Sequence, residues 1–385
     1  MEILGYRRPD GKVGIRNHIL IIPTSVCSST VASNIANQVP EAVALPNQHG
    51  CCQIGADHVQ TVRTLVGFGK NPNVAAVLVI GLGCEGIPIR ETAAEIEGSG
   101  KHVEVVVIQE SGGTLKAEAE GLRKVSELVR KVAHLQPEKV DLSELSLAIE
   151  CGGSDFTSGL ASNPAVGKAA DLLVAAGGNV ILSETTEFIG AEHVLAGRAK
   201  SQEVAEKLFK IVNDCEARAK YLNIDIRDGQ PTPGNIAGGI SSIEEKSLGC
   251  IYKAGHAPIQ DVLEYGEIPI GKGLYIMDTP GQDIESITGM LAGGATVVLF
   301  TTGRGTPTGS PIAPVIKITA NKRTYTMMED NIDLDASSII SGEETIEEVG
   351  HRIFAEIIAV ANGRRTKAES LGYKEFGIYK IGSTY

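Results

Sequence analysis

Four apolar runs in the first 110 residues set narrow limits on what this chain can fold into. They are HILIIP at His18–Pro23, Ala42–Leu45, VAAVLVI at Val74–Ile80 and VEVVVI at Val103–Ile108. They are almost wholly apolar and rich in β-branched residues, the pattern of strands covered on both faces. Segments with helical spacing separate them: Ser28–Gln38, Asp57–Phe68, Ile87–Glu97 and Gly113–Ala133. Buried strands alternating with helices build a mainly parallel sheet with helices on both faces.

The alternation pauses at His134–Leu145, a polar segment containing Pro137, and then resumes. Leu145–Ile149, Val180–Ser183, Leu274–Met277 and Val297–Phe300 read as strands. Pro164–Ala176, Gln202–Tyr221 and Glu344–Ala361 read as helices. The fold expected is α/β, with two Rossmann-like domains over residues 1–140 and 141–385. Residues 225–249 are rich in Pro and Gly and lack periodicity, so they read as a long irregular loop of the functional kind. The tail from Gly363 is polar and reads as only partly ordered.

Composition removes several classes of partner. Net charge is −12, aromatic residues are 4 % and there is no Trp. A basic footprint and stacking platforms for nucleic acid are both missing, so no nucleic-acid partner is expected. No apolar run reaches the roughly 18 residues of a membrane span, and the start lacks a secretory apolar segment. A cytoplasmic protein with no membrane partner is expected, and a homo-oligomer. In a reducing compartment an odd set of seven cysteines reads as ligands, catalysts or core residues rather than disulfides.

Four thiol positions share one address. Cys27, the pair Cys51 and Cys52, Cys84 and Cys151 each follow a strand, and glycines flank most of them. Ligands of open parallel sheets bind outside the carboxyl ends of strands, so these loops could converge on one place. Thiolates favour soft or borderline metals, iron or zinc first, although the spacing is not that of a zinc finger. Cys215 and Cys250 read as packing residues. His49, beside Cys51, reads as a ligand or base. A rival reading exists: Gly81-Leu-Gly83-Cys-Glu-Gly86 has the G-x-G-x-x-G form of a dinucleotide turn, with Glu110 placed as a ribose-binding acid. Glu85 would repel a pyrophosphate there.

Polar groups recur after later strands: Ser154 and Asp155, Ser183-Glu-Thr-Thr-Glu187, Asp278-Thr-Pro-Gly281, and Thr301-Thr302-Gly-Arg304. Arg304 can fork onto a carboxylate. Arg16, Asn17 and Lys246 can add positive charge or hydrogen bonds for an acidic ligand. Singly, such residues are more often caps or surface groups; their recurrence at strand ends raises the functional reading.

Long motifs then resemble a known family. GYRRPDGKVGIRNHILIIPTSVCS, NPNVAAVLVIGLGCE, ECGGSDFTSGLASNPAVG, ILSETTEFIGAEH, PGNIAGGISSIEEKSLG, MDTPGQD, FTTGRGTPTG and DNIDLDAS resemble the large catalytic region of the altronate/galactarate dehydratases. The resemblance runs nearly end to end. It implies a hydro-lyase that dehydrates a small sugar-acid substrate to a 2-keto-3-deoxy acid, using Fe²⁺, another divalent metal or an iron–sulfur cluster. It implies Cys51, Cys84 and Cys151 as ligands with Cys27 in reserve, and Asp155, Glu85 and His49 as acid–base groups. Arg16, Asn17, Ser154, Lys246, Asp278, Thr302 and Arg304 are the expected substrate contacts. Full-length members carry an extra small N-terminal SAF-type domain, so a separate small SAF-domain subunit is expected here. A sulfolactate sulfo-lyase large subunit is the nearest alternative. Its group is expected to lack the cysteine of GLGCE, so Cys84 favours dehydration. A non-catalytic sugar-acid binding subunit is a third.

Overall fold

The apolar runs pair with one another in parallel, as their two-sided burial requires. In the computed structural model, which describes residues 1–385, the smaller sheet runs in the order Ala42–Ala44, His18–Pro23, Val74–Gly81, His102–Val107. The larger runs Ile259–Leu263, Gly273–Met277, Asn179–Leu182, Ser146–Gly152, Val297–Thr302, Val315–Thr319, Leu334–Asp335, with every pair parallel. In each sheet the direction of winding reverses once. The reversal falls between His18–Pro23 and Val74–Gly81 in the first, and between Ser146–Gly152 and Val297–Thr302 in the second. A crevice opens beyond the strand ends at such a switch point.

The α/β class and the parallel sheets are as the sequence indicates, but the two sheets share a core. One apolar cluster joins Leu20, Ile22, Val77 and Val79 of the smaller sheet to Ala148, Ile181, Val298 and Phe300 of the larger. Helices Gly55–Lys70 and Asp283–Ala292 contribute Leu65, Phe68, Ile287 and Met290 to it. Their approach is close: a Cβ at Gly67 would sit 2.4 Å from the carbonyl oxygen of Ala292. The outer faces carry separate cores, under helices Val26–Ala36 and Thr114–Val132 on one side and Asn163–Ala175 and Ile346–Ala361 on the other.

Two buried asparagines fix the relative direction of the sheets. Asn71 Nδ2 donates to the carbonyls of Leu291 and Ala295. Asn73 Nδ2 donates to those of Thr296 and Ile312, and its Oδ1 accepts from Ile15 N. These contacts tie the amino ends of strands Val74–Gly81 and Val297–Thr302 together, so the carboxyl ends of both sheets face the same side.

Several segments differ from the sequence reading. The tail is a strap: Phe376 and Ile378 are buried, and Phe376 meets Phe68 edge-on at 5.1 Å. Ile381 N and Gly382 N donate to Asp57, and Tyr385 N donates to the Cys52 carbonyl. Its polarity hides two well-spaced apolar anchors. The segment 225–249 holds one short helix, Pro233–Ala237, closed by a Thr232/Asn235 capping box, and most of a second, Ile243–Ile251, capped by Ser242. Elements this short show no periodicity. The polar boundary segment contains a strand, Glu138–Asp141, antiparallel to Glu2–Gly5. Strands Ile259–Leu263 and Val315–Thr319 and helix Asp283–Ala292 were not anticipated. No helix is long and apolar enough to cross a membrane.

Candidate functional site

Strand Ser146–Gly152 is central in the larger sheet, so its last residues are drawn inside although they are polar. Glu150 and Cys151 are buried. The adjacent strand ends at Leu182, and Glu184 beyond it takes a left-handed backbone, φ 71°. A non-glycine residue holds that conformation only where its surroundings enforce it. Here Cys151 N donates to Glu184 Oε2 at 3.1 Å. The turn Tyr252–Ala254 then delivers Lys253, which is fully buried. Its ammonium donates to Glu184 Oε2 at 2.5 Å, and to Cys151 Sγ and Glu187 Oε2 at 2.9 Å each. Cys250 Sγ lies 3.5 Å from Cys151 Sγ. Lys246 Nζ reaches the other oxygen of Glu187 at 3.2 Å.

Burial of single charges costs several kcal/mol each, so this cluster persists through mutual pairing. Burial pushes the Glu187 carboxyl up, but Lys253 and Lys246 outweigh it and hold it well below the carboxylate range. Burial opposes the charge on Lys253, yet the carboxyl groups of Glu184 and Glu187 keep it a cation. The Cys250 contact and burial hold Cys151 well above the usual thiol range, so it is a thiol and not a ready nucleophile.

A second acidic group adjoins the first. Glu150, Glu184 and Asp283 place carboxylate oxygens within 4.8 Å of one another. Burial and the neighbouring Glu184 raise Glu150 well above its ordinary value. Burial, with Glu187 beside it, raises Glu184 to about 7 and Asp283 to about 6. Ser183 and Ser286 donate to Glu150 Oε2, while Glu150 Oε1 is buried without a partner.

The two groups differ in fitness for a metal. Cys151, Glu187 and Cys250 also lie within 4.8 Å of one another, but the Lys253 ammonium already occupies the cation position against two of them. A metal does not fit there. In the other group Lys253 touches only Glu184, through Oε2, and Glu150 keeps an orphaned oxygen, so Glu150, Glu184 and Asp283 offer hard donors that suit a divalent cation such as Fe²⁺, Mn²⁺ or Mg²⁺.

Two cavities open beside the cluster at the switch point. One, of about 270 Å³, is lined by Ser154, Asn163, Lys246 and Cys250. The other, of about 490 Å³, is lined by Gly238, Arg304, Asn321 and Arg323. Asp155 and Phe156 border both.

The expected site residues divide between places. Cys151, Ser154, Asp155, Lys246, Thr302 and Arg304 gather at this crevice. Asp155 is a buried staple: one oxygen accepts from Thr157 and Ser158, the other from Asn321 Nδ2 at 2.8 Å. Thr302 Oγ1 accepts from Gly305 N and shapes the Arg304 turn. Asp278 accepts from Thr185 Oγ1 and lines a third cavity of about 460 Å³ with Arg63, Cys215 and Arg218.

Cys27, Cys51 and Cys84 sit beyond the smaller sheet and form no single donor cluster with Cys151, contrary to the expectation of one shared ligand set. Cys27 and Cys84 are exposed and Cys51 is half-buried. Glu85 closes its own loop, accepting from Thr24 Oγ1, Leu82 N and Gly83 N. Burial opposes its charge, but these donors prevail and keep it ionised. The same contacts take the Leu82 and Gly83 N–H groups that a pyrophosphate would need, which argues against the dinucleotide reading. Glu110 pairs with Arg90 on the surface. His49 Nε2 lies 3.2 Å from the Ile378 carbonyl under the strap. Arg16 pairs with Glu369 at 2.7 Å, and Asn17 Oδ1 accepts from Arg8. Both stand before strand His18–Pro23, at the amino ends of the sheets and away from the crevice.

Sequence reasoning missed Lys253, Cys250, Glu150, Asp283 and Arg323. Cys250 reads from the sequence as a packing residue, yet its thiol meets that of Cys151. Asp283 ends MDTPGQD, but only Asp278 was singled out from that motif. Lys253 follows an apolar stretch and carries no local signal.

Known proteins match this chain over its length. The family model described as D-galactarate dehydratase/Altronate hydrolase, second domain, matches residues 5–133. That described as D-galactarate/Altronate dehydratase, C-terminal, matches residues 142–384. The (2R)-sulfolactate sulfo-lyase subunit beta of Chromohalobacter salexigens is 40 % identical over 98 % of this chain and 97 % of its own length. The altronate dehydratase of Bacillus subtilis is 35 % identical over 99 % of this chain and 78 % of its own. The galactarate dehydratase (L-threo-forming) of Escherichia coli is 38 % identical over 94 % and 73 %.

Proposed function

Because the chain belongs to the D-galactarate/altronate dehydratase family and is a lyase, we propose that it dehydrates a sugar acid at the crevice beside Lys246 and Arg304. The reaction breaks the C2–H and C3–O bonds, releases water, and leaves an enol that tautomerises to a 2-keto-3-deoxy acid. The observation that carries this reading is the buried Lys253–Glu184–Glu187 cluster at the switch point of the larger sheet.

Lys246 binds the substrate carboxylate. Burial works against its charge, but the Glu187 carboxylate keeps it protonated. Its ammonium has three donors; Glu187 and Gln230 take two, leaving one for the ligand. Lys253 is a positioning residue that fixes Cys151, Glu184 and Glu187. Glu150, Glu184 and Asp283 would hold a divalent cation, which would polarise the leaving hydroxyl. Asp155 and Glu85 spend their carboxylates on protein donors, which argues against either as the base.

A second reading has specific support. The sulfo-lyase match extends over nearly the whole of both chains at 40 % identity, and the same crevice would serve C3–S cleavage with sulfite leaving in place of water. Cys84, expected to mark dehydration, is exposed and outside the buried cluster, so it bears little on this choice. The match to a protein named as a subunit also supports a separate small partner chain. The deciding experiment assays the chain with that small partner and Fe²⁺, anaerobically, on galactarate, altronate and (2R)-sulfolactate. A 2-keto-3-deoxy product supports dehydration, sulfite supports the second reading, and no product from any acid would overturn both.

A further inference from the structure

Arg304 and Arg323 face one cavity of about 490 Å³, and neither side chain has an acidic partner or a hydrogen bond. The chain carries 47 acidic against 35 basic residues, so acids to pair with are plentiful. Most surface arginines find one: Arg7, Arg90, Arg123, Arg227, Arg352 and Arg364 all do. The one carboxylate bordering the cavity, Asp155, is already bound by Thr157, Ser158 and Asn321. Two cations against a single carboxylate that is held by other donors leave an excess of positive charge at a concave surface, a site for an anion.

The location gives that anion a meaning. Arg304 follows Val297–Thr302, one of the two strands that flank the switch point. The other strand leads through Gly153 to Ser154 and the cavity holding Lys246, and the turns are joined where Arg304 N donates to the Gly153 carbonyl. The Asp155–Phe156 pair borders both cavities. A cation therefore stands on each side of one short ridge.

We propose that the acid bound here carries two anionic groups, one held by Lys246 and the other by Arg304 and Arg323. The proposal rests on the lyase reading and narrows its substrate class to a dianionic hydroxy acid, either a dicarboxylate or a sulfonated carboxylate. An acid with a single charged end leaves the arginine cavity filled only by water.

The test compares the assembled enzyme and its Arg304→Ala, Arg323→Ala double variant on galactarate, (2R)-sulfolactate and altronate. Ligand-induced thermal shifts are recorded beside the kinetics. Wild type should favour a dianion over altronate in kcat/KM and should be stabilised by it. The double variant should lose roughly tenfold or more of that preference, chiefly through KM. Should the double variant fail to fold, Arg304→Lys, which keeps the charge but not the fork, should retain part of the preference. Arg130→Ala, another unpaired arginine on a distant helix, serves as control. Galactarate and sulfolactate distinguish the two kinds of second anion. Preference for altronate in wild type, or an unchanged preference in the folded double variant, would overturn the proposal while leaving the lyase reading intact. Dianion-induced stabilisation that depends on the arginines, without turnover of any acid, would support the site and sink the lyase reading.

Discussion

Lys253 Nζ lies 2.9 Å from Cys151 Sγ, and neither side chain is more than 1 % exposed. A buried ammonium on a buried thiol exists here because Glu184 and Glu187 share the same cation. The arrangement charges the interior directly beneath the crevice and fixes the strand ends that form its wall.

Lys253→Met should therefore cost about 3–5 kcal/mol of stability, because two buried carboxylates lose their partner. Chemical denaturation would measure it. Adding Glu184→Gln should recover part of the loss, since that change removes one stranded charge. A single variant as stable as wild type would show that the cluster is not held by this pairing.

Glu150, Glu184 and Asp283 should bind one divalent cation. Anaerobic calorimetry with Fe²⁺ and Mn²⁺ reads this without any assay of turnover. Glu150→Gln should weaken binding roughly tenfold or more. Equal affinity in the variant would place the ion elsewhere.

Asn73 makes three buried hydrogen bonds, two of which reach across to the larger sheet. Asn73→Ala leaves two carbonyls and one amide without those partners, so a loss of about 2 kcal/mol or more is expected. Denaturation in urea would reveal it, and limited proteolysis should show the shared core opening. A change below about 0.5 kcal/mol would mean that apolar packing alone sets the sheet orientation.

How much of this was legible beforehand depended on range. The strands HILIIP, VAAVLVI and VVLF declare themselves because burial on both faces leaves a continuous apolar run. Cys151, Ser154 and Arg304 are legible as site residues because the carboxyl end of a parallel strand is a local property, whereas Lys246 shows only as a cation in a segment without periodicity. Lys253 and Cys250 meet Cys151 across about 100 positions of chain, and nothing in their neighbours announces it. Arg16 reads as a carboxylate binder, but Glu369, far along the chain, takes it. The shared core was likewise illegible: Gly67 against Ala292 is a packing event between helices, one of which has no strong periodic pattern.

His18 gives a pH signature. Burial, with Arg16 adding to it, lowers its pKa from the ordinary 6.5 to about 4. A histidine depressed in the fold takes up its proton more readily when unfolded. Stability is thus full above about 6.5 and falls as pH drops from there towards 4, by up to about 3 kcal/mol. His18→Gln should flatten that part of the profile in pH-dependent denaturation. Parallel wild-type and variant curves would contradict the assignment.

The central claim is that the lyase centre lies at the switch point of the larger sheet, with Lys246 holding the substrate carboxylate. Steady-state kinetics of Lys246→Met in the assembled enzyme, on whichever acid the wild type consumes, tests it most directly. The account predicts a fall in kcat/KM of roughly 100-fold, carried mainly by KM, with partial recovery in Lys246→Arg. A folded Lys246→Met enzyme with unchanged kcat/KM would contradict it.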